Sequence, residues 1–294
     1  MNMKPLKDKN LYYVGGVVRD EMLGIKSIDT DLCYEGNAIE YSLNTFGNNV
    51  VKTNPDFGTV RVLLDGKETD IASTREEDYP KPGHLPVVKN IGCSLLKDLK
   101  RRDFTINAMA KNTVTGEVYD PYNGKQDIEN CILRVLHERS FIEDPTRIIR
   151  GLKFSVRFGF ELESKTKILQ DEYLSNINYD MSYFRLKKEL IETFNLNKGE
   201  AFDKFINQGL YKLLGEKQIV PKVNGTAIQK AVSDSNFNPW IIYMGFFNLE
   251  NLPLTRYEKH ILDWTNKLKS GETKGNNTPP ESILIDKLFR EAEC

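Results

Sequence analysis

Leu11-Tyr12-Tyr13-Val14-Gly15-Gly16-Val17-Val18-Arg19-Asp20, followed shortly by Asp29-Thr30-Asp31, is the stretch on which the reading of this chain turns. The first four residues have strand-forming side chains, and the paired glycines close the run. If Asp29 and Asp31 lie on an extended strand, residues i and i+2 point to one face and the two carboxylates project side by side. Like charges that close are costly unless a cation sits between them. Hard oxygen donors of this kind suit Mg²⁺, which takes one or two carboxylates together with substrate phosphates and waters. Gly15 and Gly16 let a backbone come close to a ligand, and Arg19 offers a positive charge to a phosphate. Together these features describe a place for a nucleoside triphosphate beside metal ions. Each is weak alone: surface strand ends often carry two aspartates, and Gly-Gly is commonly just a turn. Neither a GxGxxG fingerprint nor a GxxxxGK[ST] loop occurs in the chain.

The 294 residues suffice for one large domain or two ordinary ones. No apolar run is long enough for a membrane span, and Met1 to Asn10 is polar and lysine-bearing, unlike a secretory signal. Cys33, Cys93, Cys131 and Cys294 are scattered without CxxC spacing, which argues against a zinc site and a disulfide framework and fits a cytoplasmic location. The formal net charge of −1 neither favours nor excludes a nucleic-acid partner.

Up to about Tyr119 the chain mixes strand and helix signals. Leu11 to Val14, Thr59 to Leu64 and Glu68 to Ile71 read as strands, with Asp65-Gly66 as a hairpin turn. Asn37 to Phe46 and Leu95 to Met109 read as helices. From Asp127 onward strand signals fade, and Ile142 to Phe158, Met181 to Asn195 and Glu200 to Leu214 read as helices. The fold class is α+β: a mixed head followed by an all-helical portion.

Lys100-Arg101-Arg102-Asp103-Phe104-Thr105-Ile106-Asn107 sets arginines beside an aspartate, a combination able to grip phosphates and a ribose hydroxyl. The plainer reading is a solvated charge run with Asp103 as a local cap. Asp120-Pro121-Tyr122-Asn123-Gly124 reads as a turn. In Glu143-Asp144-Pro145-Thr146-Arg147-Ile148-Ile149-Arg150, Asp144 is an N-cap candidate with Pro145 at the first helical position. Arg147, Arg150 and Lys153 then place cations along one helix face. An Asp acceptor beside an Arg donor matches an exocyclic amino group next to a ring-nitrogen acceptor. Cytosine and adenine present that pattern, whereas guanine and uracil reverse it. One Asp/Arg pair could therefore accept CTP and ATP while rejecting GTP and UTP. A capped helix with ordinary surface arginines is the competing reading.

The ordered series GGxVRD, DxD, RRDFTINAMA, DPYNG and EDPTRIIR, over residues 11 to 160, resembles the class II tRNA nucleotidyltransferases, which share a superfamily with bacterial poly(A) polymerase. The resemblance implies a polymerase-β-like palm in a head domain (1–136), a helical neck (137–196) and a short helical body (197–294) that binds RNA. It implies Mg²⁺-dependent addition of C and/or A to a tRNA 3′ end from CTP and ATP, with release of pyrophosphate. Asp29 and Asp31 would then hold the metal, with Asp70 as a further acidic residue on a neighbouring strand. Gly15, Gly16 and Arg19 would touch the triphosphate, Arg102 and Asp103 the phosphate and ribose, and Asp144 and Arg147 the base. Arg150 would help place the nucleotide. Lys153 stands where the family commonly has arginine, and Ser182-Tyr183-Phe184-Arg185 replaces a frequent Glu-Arg pair. Alternatives within reach are CC-only addition, A-only addition, poly(A) synthesis, or a noncatalytic RNA-binding protein.

Overall fold

The computed structural model describes residues 6–27, 30–64, 66–275 and 277–293. Asp29 and the turn residue Asp65 lie outside them. The chain divides into two compact units: residues 1–143 with 161–166, and residues 144–160 with 167–294.

Unit 1 is built on a seven-stranded sheet. Its elements in chain order are β1 (Leu11–Val14), α1 (Gly16–Met22), β2 (Asp31–Tyr34), α2 (Ala38–Phe46), β3 (Val50–Asn54), β4 (Thr59–Leu64), β5 (Lys67–Ser73), β6 (Arg75–Asp78), β7 (Val87–Ile91), α3 (Leu95–Lys100), β8 (Ala110–Asn112), β9 (Val118–Tyr119), α4 (Gly124–Glu129), β10 (Ile132–Leu133) and α5 (Ser140–Glu143). The sheet order is β3-β4-β5-β2-β1-β8-β9. Only β2 and β5 run parallel; the other pairs are antiparallel. Alternation along the strands separates two cores. Leu11, Leu32, Val60, Val62 and Ile71 pack with Ala38 of α2 on one face. Val14, Cys33 and Ala110 pack with Leu95 and Leu99 of α3 on the other. Segment 75–91 forms the antiparallel β6–β7 hairpin.

Within unit 1 the short strand β11 (Glu161–Leu162) pairs in parallel with β10; unit 2 is helical: α6 (Thr146–Phe158), α7 (Ser164–Ser175, whose first turn belongs to unit 1), α8 (Tyr183–Phe194), α9 (Gly199–Asn207), α10 (Gly225–Ser233), α11 (Pro239–Met244), α12 (Arg256–Lys269) and α13 (Pro280–Glu293). Its core is aromatic. Phe194 meets Phe205 edge-on at 5.5 Å and Tyr243 at 5.4 Å, and all three are fully buried. Helices α9 and α10 approach so closely at Gly199 and Gly225 that a Cβ on Gly225 would lie 1.9 Å from the Gly199 carbonyl oxygen.

Three expected helices are shorter than the periodicity suggested. The segment Leu95 to Met109 is helical only through Lys100, followed by an isolated bridge at Phe104 and a single 3₁₀ turn over Thr105–Asn107. Its polar side chains bond the local backbone and so compete with the helix. The span Ile142 to Phe158 breaks before Pro145, whose ring excludes the preceding residue from helical geometry. Glu200 to Leu214 breaks at Gly209, which takes φ +71 before a 3₁₀ turn.

Candidate active site

In unit 1 the strand register decides where the acidic residues point. Asp31 of β2 pairs with Asp70 of β5, and Leu32 with Ile71. Because Leu32 and Ile71 are buried in the α2-side core, Asp31 and Asp70 face the opposite side, the side of α3. Asp31 is exposed at the start of its strand. Asp70 is held by Arg61, Nε donating to Oδ1 at 2.7 Å and Nη2 to Oδ2 at 2.8 Å. The hydrogen bonds from Arg61 hold the Asp70 carboxyl below its usual range, so it is ionised at neutral pH. This pair is half exposed and contributes little to stability. Asp31 is the exposed carboxylate here, of the donor type a hard divalent cation takes, whereas both oxygens of Asp70 already accept from Arg61.

Gly15 and Gly16 follow β1 directly. Gly15 takes φ +68, ψ −126 at the start of α1, and a Cβ there would stand 3.0 Å from Nη1 of Arg102. Any larger residue would be strained and would push that guanidinium away. Arg102 is anchored through Nη2 to Oδ2 of Asp98 at 3.1 Å. Its Nε is buried without a hydrogen-bond partner, so the guanidinium beside the glycine turn retains a donor that an anionic oxygen would satisfy.

Asp98 also binds Arg101, by Nη2 at 2.8 Å and Nε at 3.0 Å, and accepts the Arg75 N–H at 3.1 Å. Burial pushes its carboxyl up, but Arg102 and Arg101 outweigh that and hold it below the usual range. The solvated-charge-run reading of 100–102 fails for Arg101 and Arg102, whose side chains are 19% and 18% exposed.

Arg19 is buried. Nε and Nη2 donate to Oδ1 of Asp20 at 2.9 and 2.6 Å, and Nη1 donates to Oδ1 of Asn107 at 2.6 Å. Asn107 in turn donates to Oδ1 of Asp103 at 2.9 Å, and Asp103 accepts the Phe104 N–H at 2.7 Å. Thus Arg19, Asp103 and Asn107 form one cluster, and it stabilises the 105–107 turn. The Asp120–Gly124 turn supports it from behind. Asp120 accepts the N–H groups of Gly124 and Lys125 at 2.8 and 2.9 Å. Gly124 lies against Thr105, where a Cβ would come within 2.3 Å of the carbonyl oxygen, and Asp127 accepts the Thr105 hydroxyl at 2.6 Å. Asn107 and Asp98 were missed as candidates in the sequence; the i, i+4 spacings Asp98–Arg102 and Asp103–Asn107 were the available signal.

In unit 2 the base-reading candidates lie at the start of α6. Pro145 already has helical angles, φ −64 and ψ −17, and Asp144 Oδ1 accepts the Thr146 N–H at 3.1 Å and its hydroxyl at 2.6 Å. Asp144 and Arg147 are 5% and 3% exposed, with Arg147 Nε 4.0 Å from Asp144 Oδ2. Arg185 of α8 donates to Asp144 Oδ2. Lys153 donates to Glu189 at 2.8 Å and Glu192 at 2.6 Å, and Arg150 donates to Glu189 at 3.0 Å. Arg150 and Lys153 of α6 are therefore tied to α8, and Arg147 is buried, which the ordinary-surface-arginine reading does not accommodate. Arg185 and Glu189 were also missed, because only tertiary packing brings α8 beside α6.

Cys33 sits two residues beyond Asp31 on the same strand face, but burial pushes its thiol well up and removes it as a nucleophile. No helix among the described residues is long and apolar enough to cross a membrane.

Comparison with known proteins agrees with this geometry. The family described as the poly A polymerase head domain matches residues 11–134. An A-adding tRNA nucleotidyltransferase of Halalkalibacterium halodurans is 41% identical over 163 residues, covering 53% of this chain and 38% of the relative. One of Aquifex aeolicus is 43% identical over 163 residues, covering 54% and 20%. The chain thus aligns with well under half the length of these relatives. A solved CCA-adding enzyme structure, apo form II, superposes with a TM-score of 0.77 at 26% identity, covering 96% of this chain and 78% of that one.

Proposed function

We propose that this chain, which belongs to the family of class II tRNA nucleotidyltransferases and bacterial poly(A) polymerases, adds C and/or A to the 3′ end of tRNA from CTP and ATP without a nucleic-acid template. The observation that carries the reading is the buried Asp144–Arg147 pair, a hydrogen-bond acceptor and donor fixed side by side at the start of α6. Such a pair selects cytosine and adenine over uracil and guanine from the protein side.

Asp29 and Asp31 would hold Mg²⁺, with Asp70 nearby as a further carboxylate. When bound, the metal lowers the pKa of the attacking 3′-hydroxyl and neutralises the leaving pyrophosphate. The Gly15–Gly16 turn and Arg102 take the triphosphate, and the unmet Nε donor of Arg102 supports that role. Arg19, already neutralised by Asp20, keeps the turn and Asn107 in place, with Asp103 at the ribose end of the same cluster. Arg150 and Lys153 brace the base-reading helix through Glu189. In this division of labour the head spans 1–136, the neck 137–196 and the RNA-binding body 197–294, and the protein works in the cytoplasm.

The relatives with 41% and 43% identity are both A-adding enzymes, which favours A-only addition as the second reading. Sequencing the products formed on tRNA ending at the discriminator base, at C or at CC, each with CTP and ATP, separates the outcomes. Extension of all three to CCA supports the first reading, and extension of the CC form alone supports the second. No extension of any substrate rules out both.

A further inference from the structure

We propose that the helical unit carries a second binding site, for a small amphipathic anion: an apolar chain or ring system ending in one anionic group. The site is a cavity of about 900 Å³ whose walls include Phe246, Phe247, Leu252, Leu262 and Phe289. That volume lies within the range of about 300–1,000 Å³ typical of small-ligand pockets. Ile219 and Val220, which line it, are 84% and 44% exposed, so apolar surface at this cavity stands open to water.

The anionic requirement comes from Lys269 on α12. Its ammonium lies 4.5 Å from the ring centroid of Phe289 and 5.6 Å from that of Phe246. Among the described residues no carboxylate comes within the 4.0 Å of an ion pair with it. Burial pushes this ammonium's pKa down, against the opposing pull of Asp286 and Glu293. Lys187 and Lys153, two buried lysines of this unit that also touch an aromatic ring, show how the fold treats a structural ammonium: Lys153 rests over Phe154 and donates to Glu189 and Glu192. Lys187 rests over Trp240 at 5.2 Å, and it also donates to Glu258 at 2.6 Å and to the Pro253 carbonyl at 3.0 Å. Lys269 has the aromatic contacts but, among the described residues, no oxygen acceptor, and it borders a cavity where such an acceptor fits. The lining carries four lysines against three acidic residues, which favours an anion over a cation.

The test uses the full chain and dodecanoate as the probe, with dodecanol as its uncharged counterpart, titrated by calorimetry. The expected result is one saturable dodecanoate site, with dodecanol at least tenfold weaker. Lys269→Leu should weaken dodecanoate at least tenfold and leave dodecanol unchanged. Lys269→Arg should retain dodecanoate binding, and Leu262→Trp should abolish both by filling the cavity. Circular dichroism melts check that each variant is folded. If Lys269→Leu does not fold, the arginine and tryptophan variants decide. Equal affinity for the two probes, unaltered dodecanoate binding by Lys269→Leu, or no saturable binding overturns the proposal. So does a concentration-dependent dimer that Leu262→Trp dissolves while no probe binds, since a second copy of the chain would then cover the surface.

Discussion

The polar clusters of the two units use the same residue types, aspartate and arginine, and satisfy them differently. In unit 1 the bonds run mostly to nearby residues and backbone: Asp98 to Arg101, Arg102 and the Arg75 amide, and Asp103 to the Phe104 amide and Asn107. In unit 2 they run from helix to helix, Asp144 to Arg185 and Lys153 to Glu189. The first arrangement fixes backbone turns, which a triphosphate would meet identically whatever its base. The second fixes side-chain heads, where the difference between a base amino group and a carbonyl would be felt. Rate and selectivity should therefore be separable by mutation.

The sharpest break would come at the metal-binding candidates. Asp31→Ala, on the exposed end of β2, should leave the fold intact and reduce nucleotide incorporation by about 10³-fold or more, since metal ions contribute several kcal/mol and each ~1.4 kcal/mol is tenfold. Near-normal extension of labelled tRNA by this variant would remove the assignment. Next is selectivity: Asp144→Ala or Arg147→Ala should relax discrimination against UTP and GTP by roughly 5- to 150-fold, the ~1–3 kcal/mol of a bidentate base contact. A four-nucleotide competition with unchanged product ratios would mean that the base is read elsewhere.

Two smaller effects probe how unit 1 holds its turns. Gly124→Ala places a methyl against the Thr105 carbonyl and should cost about 1–3 kcal/mol in a denaturant melt, with incorporation falling equally for CTP and ATP. A change in base preference would contradict the separation of roles. Asp98 supplies a pH signature. Its folded pKa lies below the unfolded value, so the stability it contributes is present above about pH 4 and is lost as pH falls through the folded pKa. Asp98→Asn should flatten the acid limb of the stability profile, and an unaltered limb would show that other carboxylates control it.

Much of the candidate site was legible in the chain because its signals are local. The β1 strand, the Gly-Gly turn, the Asp144-Pro145 helix start and the β4–β5 hairpin each depend on residues within a few positions. What failed was continuity. The helix expected over Leu95 to Met109 stops at Lys100, because Asp98 and Asp103 spend their oxygens on neighbouring side chains and amides. The Asp120–Gly124 turn looked inert until its contact with Thr105 appeared.

By itself the sequence determined the order of the motifs and the chemistry each can perform, since residue type fixes which groups accept, donate or bind a hard cation. The tertiary structure alone decided which charges are left to act. Asp70 is occupied by Arg61, Arg19 by Asp20 and Lys153 by two glutamates, whereas Arg102 keeps a buried donor unmet. Periodicity shows which residues share one element, but the partner of a buried charge lies on another strand or helix and is set by packing.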